Sequence, residues 1–411
     1  MSPYRWLPSL VVAATLASPA YAGPLTFAQA LDRAAAGAPS LQAAALQTEA
    51  ARASARAAGA LPDPKLNVGV EGFPISGPNA GHPSRDDFSD ARIGIMQEVP
   101  NKARRQAAVA GATAAISQAE AARLVEGRKV RVATALAWID VAYAERRLAA
   151  VDRVLTSLRP LWEAQPSAVA AGRQRPGQAL SPIRMRATLE DQRSEQVAGL
   201  ARARAELTRW TGEPAPSVAG EPPAFHIDPA ELRAAMEANP TLLAYRSAAS
   251  RADAEVGAAR AAGRPDWGWE VAYQRRDPRF GDMLSAGVTV SLPLFASTRQ
   301  APLLAARRAD ASRVLADRED ARRGLAAQLE ADLADHEMHH DRWIRTTGTV
   351  VPAAQHRADL ETASYAAGTA TLADVLDAMA ALADAKLTAL EREATVVRDG
   401  ARIVLTYGSD L

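Results

Sequence analysis

The densest group of metal-ligating side chains in the chain is His336-Glu-Met-His339-His340-Asp341. Spacings of three and four residues put His336 beside His339 and His340 on a helix, as a bidentate or tridentate imidazole site requires. No cysteine is present to add a thiolate, and no fixed carboxylate or second shell is evident. A solvated helix face therefore competes with metal ligation, and no resident cofactor is expected. Asp374 and Asp377 form a second group, because residues three apart share a helix face. Thr371 offers Asp374 a different use, as the acid of an N-terminal capping box. The sequence holds no nucleophile elbow, glycine-rich phosphate loop or zinc-protease helix motif, so the usual frameworks for catalysis are missing and an enzyme is not expected.

The elements that must position these residues begin after a secretory pattern. Arg5, the apolar run Leu10 to Ala17 and the small-x-small triplet Ala20-Tyr21-Ala22 read as a signal peptide over 1–22, cleaved after Ala22. Arg5 is the only charge in that segment, and its removal leaves 47 basic against 47 acidic side chains. A balanced charge gives no footprint for nucleic acid. No run of 18 apolar residues follows the signal, so any membrane crossing must be made by strands. Only 5% of the residues are aromatic, and long stretches are rich in Ala, Arg, Glu and Gln. Extended helical hairpins suit that composition better than a thick globular core.

The chain repeats itself. Leu31, Pro39, Leu41, Ala43, Ala51 and Pro64 recur at one constant offset as Leu232, Pro240, Leu242, Ala244, Ala252 and Pro265, which divides it into a first repeat over 23–211 and a second over 230–411. Each repeat opens with a capped helix of about 35 residues, running to Ala60 and to Ala261; Thr26 with Gln29 and Asp228-Pro229 with Glu231 supply the caps. Two alternating segments follow in each half, about 64–72 and 91–99, then 265–274 and 283–292. Leu66, Val68 and Val70 face one way, and Trp267, Trp269, Val271 and Tyr273 do the same in the second half. Period two over about nine residues is the pattern of a strand with one lipid face. Gln97 interrupts it. Glu71 and Glu270 fall on the opposite, lumen-facing side. Trp267, Trp269, Tyr273, Phe73, Phe88 and Phe280 are placed for an interfacial girdle.

Long helices are expected next, about 102–171 and 299–367, with kinks at Pro160 and Pro352. Return helices of about 35 residues run from Gly177 to Thr211 and from Leu372 to about Tyr407. Residues 212–229 carry five prolines and read as a linker with little regular structure. The fold class is mainly α with a small membrane β-barrel contribution, in a duplicated helix-strand-strand-long helix-short helix plan.

Four strands cannot close a membrane barrel, for which about eight is the working minimum, because open edges leave unpaired backbone in lipid. Several chains must contribute, eight strands from a dimer or twelve from a trimer. The duplicated plan, the Leu-x7-Pro-x-Leu openings and Tyr365-Ala-Ala-Gly368-Thr-Ala-Thr-Leu-Ala-Asp374-Val-Leu-Asp377 resemble the TolC family of outer-membrane efflux factors over essentially the whole mature chain. Leu61-Pro-Asp-Pro64-Lys-Leu-Asn-Val-Gly-Val-Glu71-Gly-Phe73-Pro is most similar to its heavy-metal branch.

The resemblance implies a homotrimer with a twelve-stranded barrel in the outer membrane on a long periplasmic α-barrel, docked to a periplasmic adaptor protein and an inner-membrane pump of the RND type. It further implies that Gly368 to Asp377 is the periplasmic hairpin tip, with Asp374 and Asp377 ringing a closed aperture and Tyr365 available for a tip-to-tip hydrogen bond. Two stacked carboxylate rings would attract cations. The other tip departs from the family, offering Arg173 and Arg175 where an acid is usual. A periplasmic coiled-coil adaptor is the alternative reading, since it too uses long Ala-rich hairpins, but it has no need of two strand pairs with a lipid face.

Overall fold

The computed structural model describes residues 23–170 and 180–408. Residues 1–22, expected to form a signal, and Arg173 and Arg175, expected at a tip, lie outside them. The first capped helix, α1 (Phe27–Gly37), starts at Thr26, whose Oγ1 accepts from the Gln29 N–H while Gln29 Oε1 accepts from the Thr26 N–H. The single opening helix expected in each half is in fact two. Helix α2 (Pro39–Ala57) begins anew at Pro39. In the second half, α5 (Pro229–Ala235) and a 3₁₀ turn (Met236–Ala238) give way to α6 (Pro240–Ala261). The proline ring excludes the residue before it from helical ψ, and Ala38 and Asn239 sit at ψ 122° and 129°. Asn239 then caps α6, accepting from the Thr241 N–H at 3.0 Å.

The strands β1 (Lys65–Glu71), β2 (Asp90–Val99), β3 (Asp266–Arg275) and β4 (Met283–Ser291) form one antiparallel sheet in the order β1-β2-β3-β4. The two halves therefore meet within a single sheet, through β2 and β3. Register aligns the apolar residues of all four strands in rows. Val68, Ile93, Tyr273 and Leu284 make one row, and Leu66, Ile95, Val271 and Ala286 the next.

Below the sheet, α3 (Lys102–Ala170) spans 69 residues, about 100 Å at 1.5 Å per residue. Its middle is buried, with Trp138, Ile139, Val141 and Tyr143 enclosed between neighbouring elements. Pro160 does not interrupt α3; nearby Leu158 is clamped against Leu189 and Leu376, and one missing donor is absorbed within a helix packed on both sides. The second half behaves differently. A π turn (Ala296–Gln300) leads into α7 (Ala301–Arg345), a second π turn (Thr346–Val350) follows, and α8 (Val351–Ala366) starts one residue before Pro352. Proline lacks the N–H that an α turn would need, and the wider π turn takes up the mismatch. Arg392 buttresses it from the return helix, donating to the Arg342 carbonyl at 3.1 Å and to Thr346 Oγ1. The return helices are α4 (Leu180–Thr211) and α9 (Leu372–Tyr407).

The proline-rich segment 212–229 is irregular but fixed in place. The Leu25 N–H donates to the Ser217 carbonyl at 2.8 Å, and the Ala219 N–H donates to the Leu25 carbonyl at 2.9 Å. Trp138 Nε1 donates to that same carbonyl at 2.9 Å. Phe27 stands edge-on to both Trp138 and Phe225, at centroid separations of 5.5 and 6.0 Å. The segment is thus a strap across the middle of the helical bundle.

Candidate functional site: the sheet wall and the hairpin tip

Alternation divides the sheet into two surfaces of opposite character. One carries Leu66, Val68, Ile93, Ile95, Trp267, Trp269, Val271, Tyr273, Leu284, Val288 and Val290, all exposed. So broad an apolar face on an otherwise charged protein marks contact with lipid or another chain. Gln97 falls in this face, and its amide is turned onto the carbonyls of Pro62 and Glu98 at 2.7 and 2.9 Å, so its donors are satisfied without water. Phe73, Phe88 and Phe280 are exposed around the loops at the far end.

The opposite face is polar and lined with small residues. Glu71 and Glu270 both lie on it, and neither is a free carboxylate. Arg92 on β2 donates to Glu71 on β1 and to Glu270 on β3, each at 2.7 Å. Lys65 pairs with Glu98 at 2.6 Å. At the base of the sheet, Asp266 accepts from the Asn101 N–H at 2.7 Å and from Arg104 at 2.7 Å, tying β3 to the start of α3. The sequence placed Arg92 on the polar face but gave no sign of its bridging role, which depends on β2 lying between β1 and β3.

Two long-range arginine contacts draw the loops at the far end together. Arg279 donates to the Ser84 carbonyl at 2.5 Å and Arg276 to that of Asp87 at 3.4 Å. Both carbonyls belong to the β1–β2 loop.

At the other end, α8 terminates at Gly368, whose φ of +80° only a residue without a Cβ adopts readily. The Gly368 N–H donates to the Tyr365 carbonyl, and the Thr369 N–H to that of Ser364. Thr371 caps α9 in a complete capping box: its N–H and hydroxyl donate to Asp374 Oδ2 at 2.8 and 2.6 Å, and its Oγ1 accepts from the Asp374 N–H. Those hydrogen bonds hold the Asp374 carboxyl below the ordinary aspartate range. Asp374 and Asp377 are both exposed, while Leu372, Val375, Leu376 and Ala378 between and beside them are buried. Capping and exposure thus coexist at Asp374. Tyr365 is exposed too.

The histidine cluster does not converge. His339 Nδ1 lies 2.7 Å from Asp399 Oδ2 on α9, which turns that ring inward. The rings of His336 and His340 remain 6.3 Å apart, and His340 stacks edge-on to Trp343 at 5.7 Å. Burial pushes the His336 imidazole to lower pKa. Among the described residues, no three His, Cys, Asp or Glu side chains gather as a metal site. The three imidazoles do not turn to one point, because Asp399, remote in sequence, claims the central histidine.

Residues 232–409 match the family described as outer membrane efflux protein. The chain is 27% identical over 375 residues to the cobalt-zinc-cadmium resistance protein CzcC of Cupriavidus metallidurans, covering 89% of this chain and 86% of that one. Its fold is similar to the CusC transmembrane channel, with a TM-score of 0.79 at 16% identity over 93% of this chain and 92% of that one. The Campylobacter jejuni CmeC outer membrane channel gives 0.79 at 11% identity, over 99% and 94%. The family match covers residues 232–409, within the second repeat, the first repeat follows the same plan, and the curated relative aligns with both; the chain is similar to the outer membrane efflux proteins over most of its length.

Proposed function

We propose that three copies of this chain close a twelve-stranded barrel in the outer membrane, above a periplasmic barrel built from their helices, and export small solutes. The observation that carries this reading is the sheet itself. Its edges β1 and β4 have no partner strand among the described residues, and its outer face is apolar and exposed. Unpaired edges in lipid cost several kcal/mol per backbone group, so membrane insertion demands closure, with β4 of one copy meeting β1 of the next. A periplasmic adaptor would have no use for such a face.

Export after cleavage at Ala22 delivers the chain to the periplasm, where 23–211 and 230–411 act as two copies of one structural unit joined through 212–229. A periplasmic adaptor and an inner-membrane pump feed the duct from below. Heavy-metal cations are the favoured cargo, a preference supported by the likeness to a cobalt-zinc-cadmium resistance protein. Asp374 and Asp377 line the periplasmic aperture, with Tyr365, Gly368, Arg173 and Arg175 shaping the surrounding tips, while Glu71 and Glu270 line the barrel.

Because the chain has no native cysteine, disulfide trapping is unambiguous. A set of single-cysteine pairs, one in β1 and one in β4, should give crosslinked trimers in detergent-extracted outer membranes. In planar bilayers the protein should conduct, and Asp374→Ala/Asp377→Ala should lower its cation preference. A mature chain that is soluble and monomeric without detergent would overturn the channel reading.

A further inference from the structure

From the polar face of the sheet, and resting on the channel reading above, we propose that Arg92 sets the charge selectivity of the barrel by holding two wall carboxylates under one cation. The acids on that face, Glu71, Asp90, Glu98, Asp266 and Glu270, outnumber its bases, Lys65 and Arg92. Lys65 is spent on Glu98, and Asp266 is met from α3 by Arg104. Arg92 is therefore the cation that serves the middle of the wall.

Its geometry makes it part of that wall. Arg92 is registered opposite Gln274 on β3, yet it bonds Glu270, four residues along the strand. Reaching it requires passing the Ala272 level. Gly94 and Ala272 are paired there, and Gly69 is the β1 neighbour of Arg92. A Cβ added at Gly94 would lie 2.8 Å from Ala272 Cβ, so the Gly94 position has no room for a side chain. The guanidinium reaches carboxylates on both sides across this low surface, and its side chain is only 25% exposed. Glu71, Arg92 and Glu270 together leave one negative charge per protomer, repeated threefold around the passage. Removing the cation would leave two carboxylates facing the same water, and a charge within a Debye length of the permeation path acts directly on local ion concentrations.

The test is the reversal potential under a KCl gradient, with Asp374→Asn/Asp377→Asn as parent so that the tip carboxylates do not mask the barrel. Arg92→Gln should raise the potassium-to-chloride permeability ratio about threefold. Glu71→Gln/Glu270→Gln, which leaves Arg92 uncompensated, should shift it in the opposite direction. Arg92→Lys, which keeps the charge, should stay near the parent. Conducting Arg92→Gln and Glu71→Gln/Glu270→Gln channels with the parent's ratio would overturn the proposal while leaving the channel reading intact. If Arg92→Gln fails to assemble, the glutamate variant decides the matter alone. A parent and wild type that both fail to conduct would overturn the channel reading and this proposal with it.

Discussion

The Tyr407 hydroxyl donates to Asp332 Oδ2 at 2.9 Å, joining the end of α9 to the middle of α7 with both side chains buried. Asp332 also accepts from Gln328 at 3.0 Å and approaches Arg402, which in turn reaches Asp399, the partner of His339. The seam between α7 and α9 is therefore a connected polar network inside an otherwise apolar packing layer. Tyr407→Phe removes one bond but leaves Asp332 its other partners, and should cost about 1 kcal/mol. Asp332→Ala strands the tyrosine hydroxyl and should cost about 3 kcal/mol. Denaturant melts of the detergent-solubilised protein distinguish the two.

Alkaline stability depends on the same tyrosine and on Tyr143, which donates to Glu393 at 3.0 Å. Burial, reinforced by the adjacent carboxylate, raises both phenols above the ordinary tyrosine value. A raised folded-state pKa contributes stability that is fully present below the unfolded value of about 10 and is lost as pH rises from there through the folded-state value. Stability should thus hold to about pH 10 and then fall, by up to about 1.4 kcal/mol per pH unit for each tyrosine. Tyr143→Phe/Tyr407→Phe should be less stable at neutral pH but lose less stability between pH 10 and 12. Far-UV circular dichroism with tyrosinate absorbance follows both.

Gly94 is where the strands of the two repeats approach too closely for a side chain. Its added Cβ would stand 2.8 Å from Ala272 Cβ and 3.3 Å from the Val271 carbonyl. Gly94→Val should cost about 1–3 kcal/mol through overpacking and lower the yield of the cysteine-crosslinked trimer.

Asp374 and Asp377 share an exposed face, but only Asp374 is in the capping box. Asp374→Asn should loosen the first turn of α9, seen as faster amide exchange over 372–376, and should also lower cation selectivity. Asp377→Asn should lower selectivity and leave that exchange unchanged. The pKa of Asp374 is depressed, so its capping contribution is present above the unfolded aspartate value of about 3.9 and is lost as pH falls through the lower folded value. Exchange at the α9 start should accelerate in acid in wild type and be less pH-dependent in Asp374→Asn.

The local and periodic features of this protein were legible in its residues. Thr26 with Gln29 and Thr371 with Asp374 form the capping boxes their spacing implies, because a cap needs only four consecutive residues. Two-residue alternation located the strands and separated their apolar face from Glu71 and Glu270. The repeat set the element order. Local rules misjudged the prolines: Pro39 and Pro240 each start a new helix, whereas Pro160 is carried within α3. Whether a ring breaks a helix depends on what packs around it.

Pairings between distant segments were decided by the tertiary structure alone. Arg92 joins Glu71 and Glu270 only because β2 lies between the strands of both halves. Asp399 takes His339 from its neighbours in sequence, and Leu25, Ser217 and Trp138 meet to convert a proline-rich linker into a strap. A sequence period fixes which face a residue occupies, since backbone geometry is local. The partner found on that face is set by chain topology, and here the contacts span from 21 to 192 residues, far beyond the reach of any local pattern.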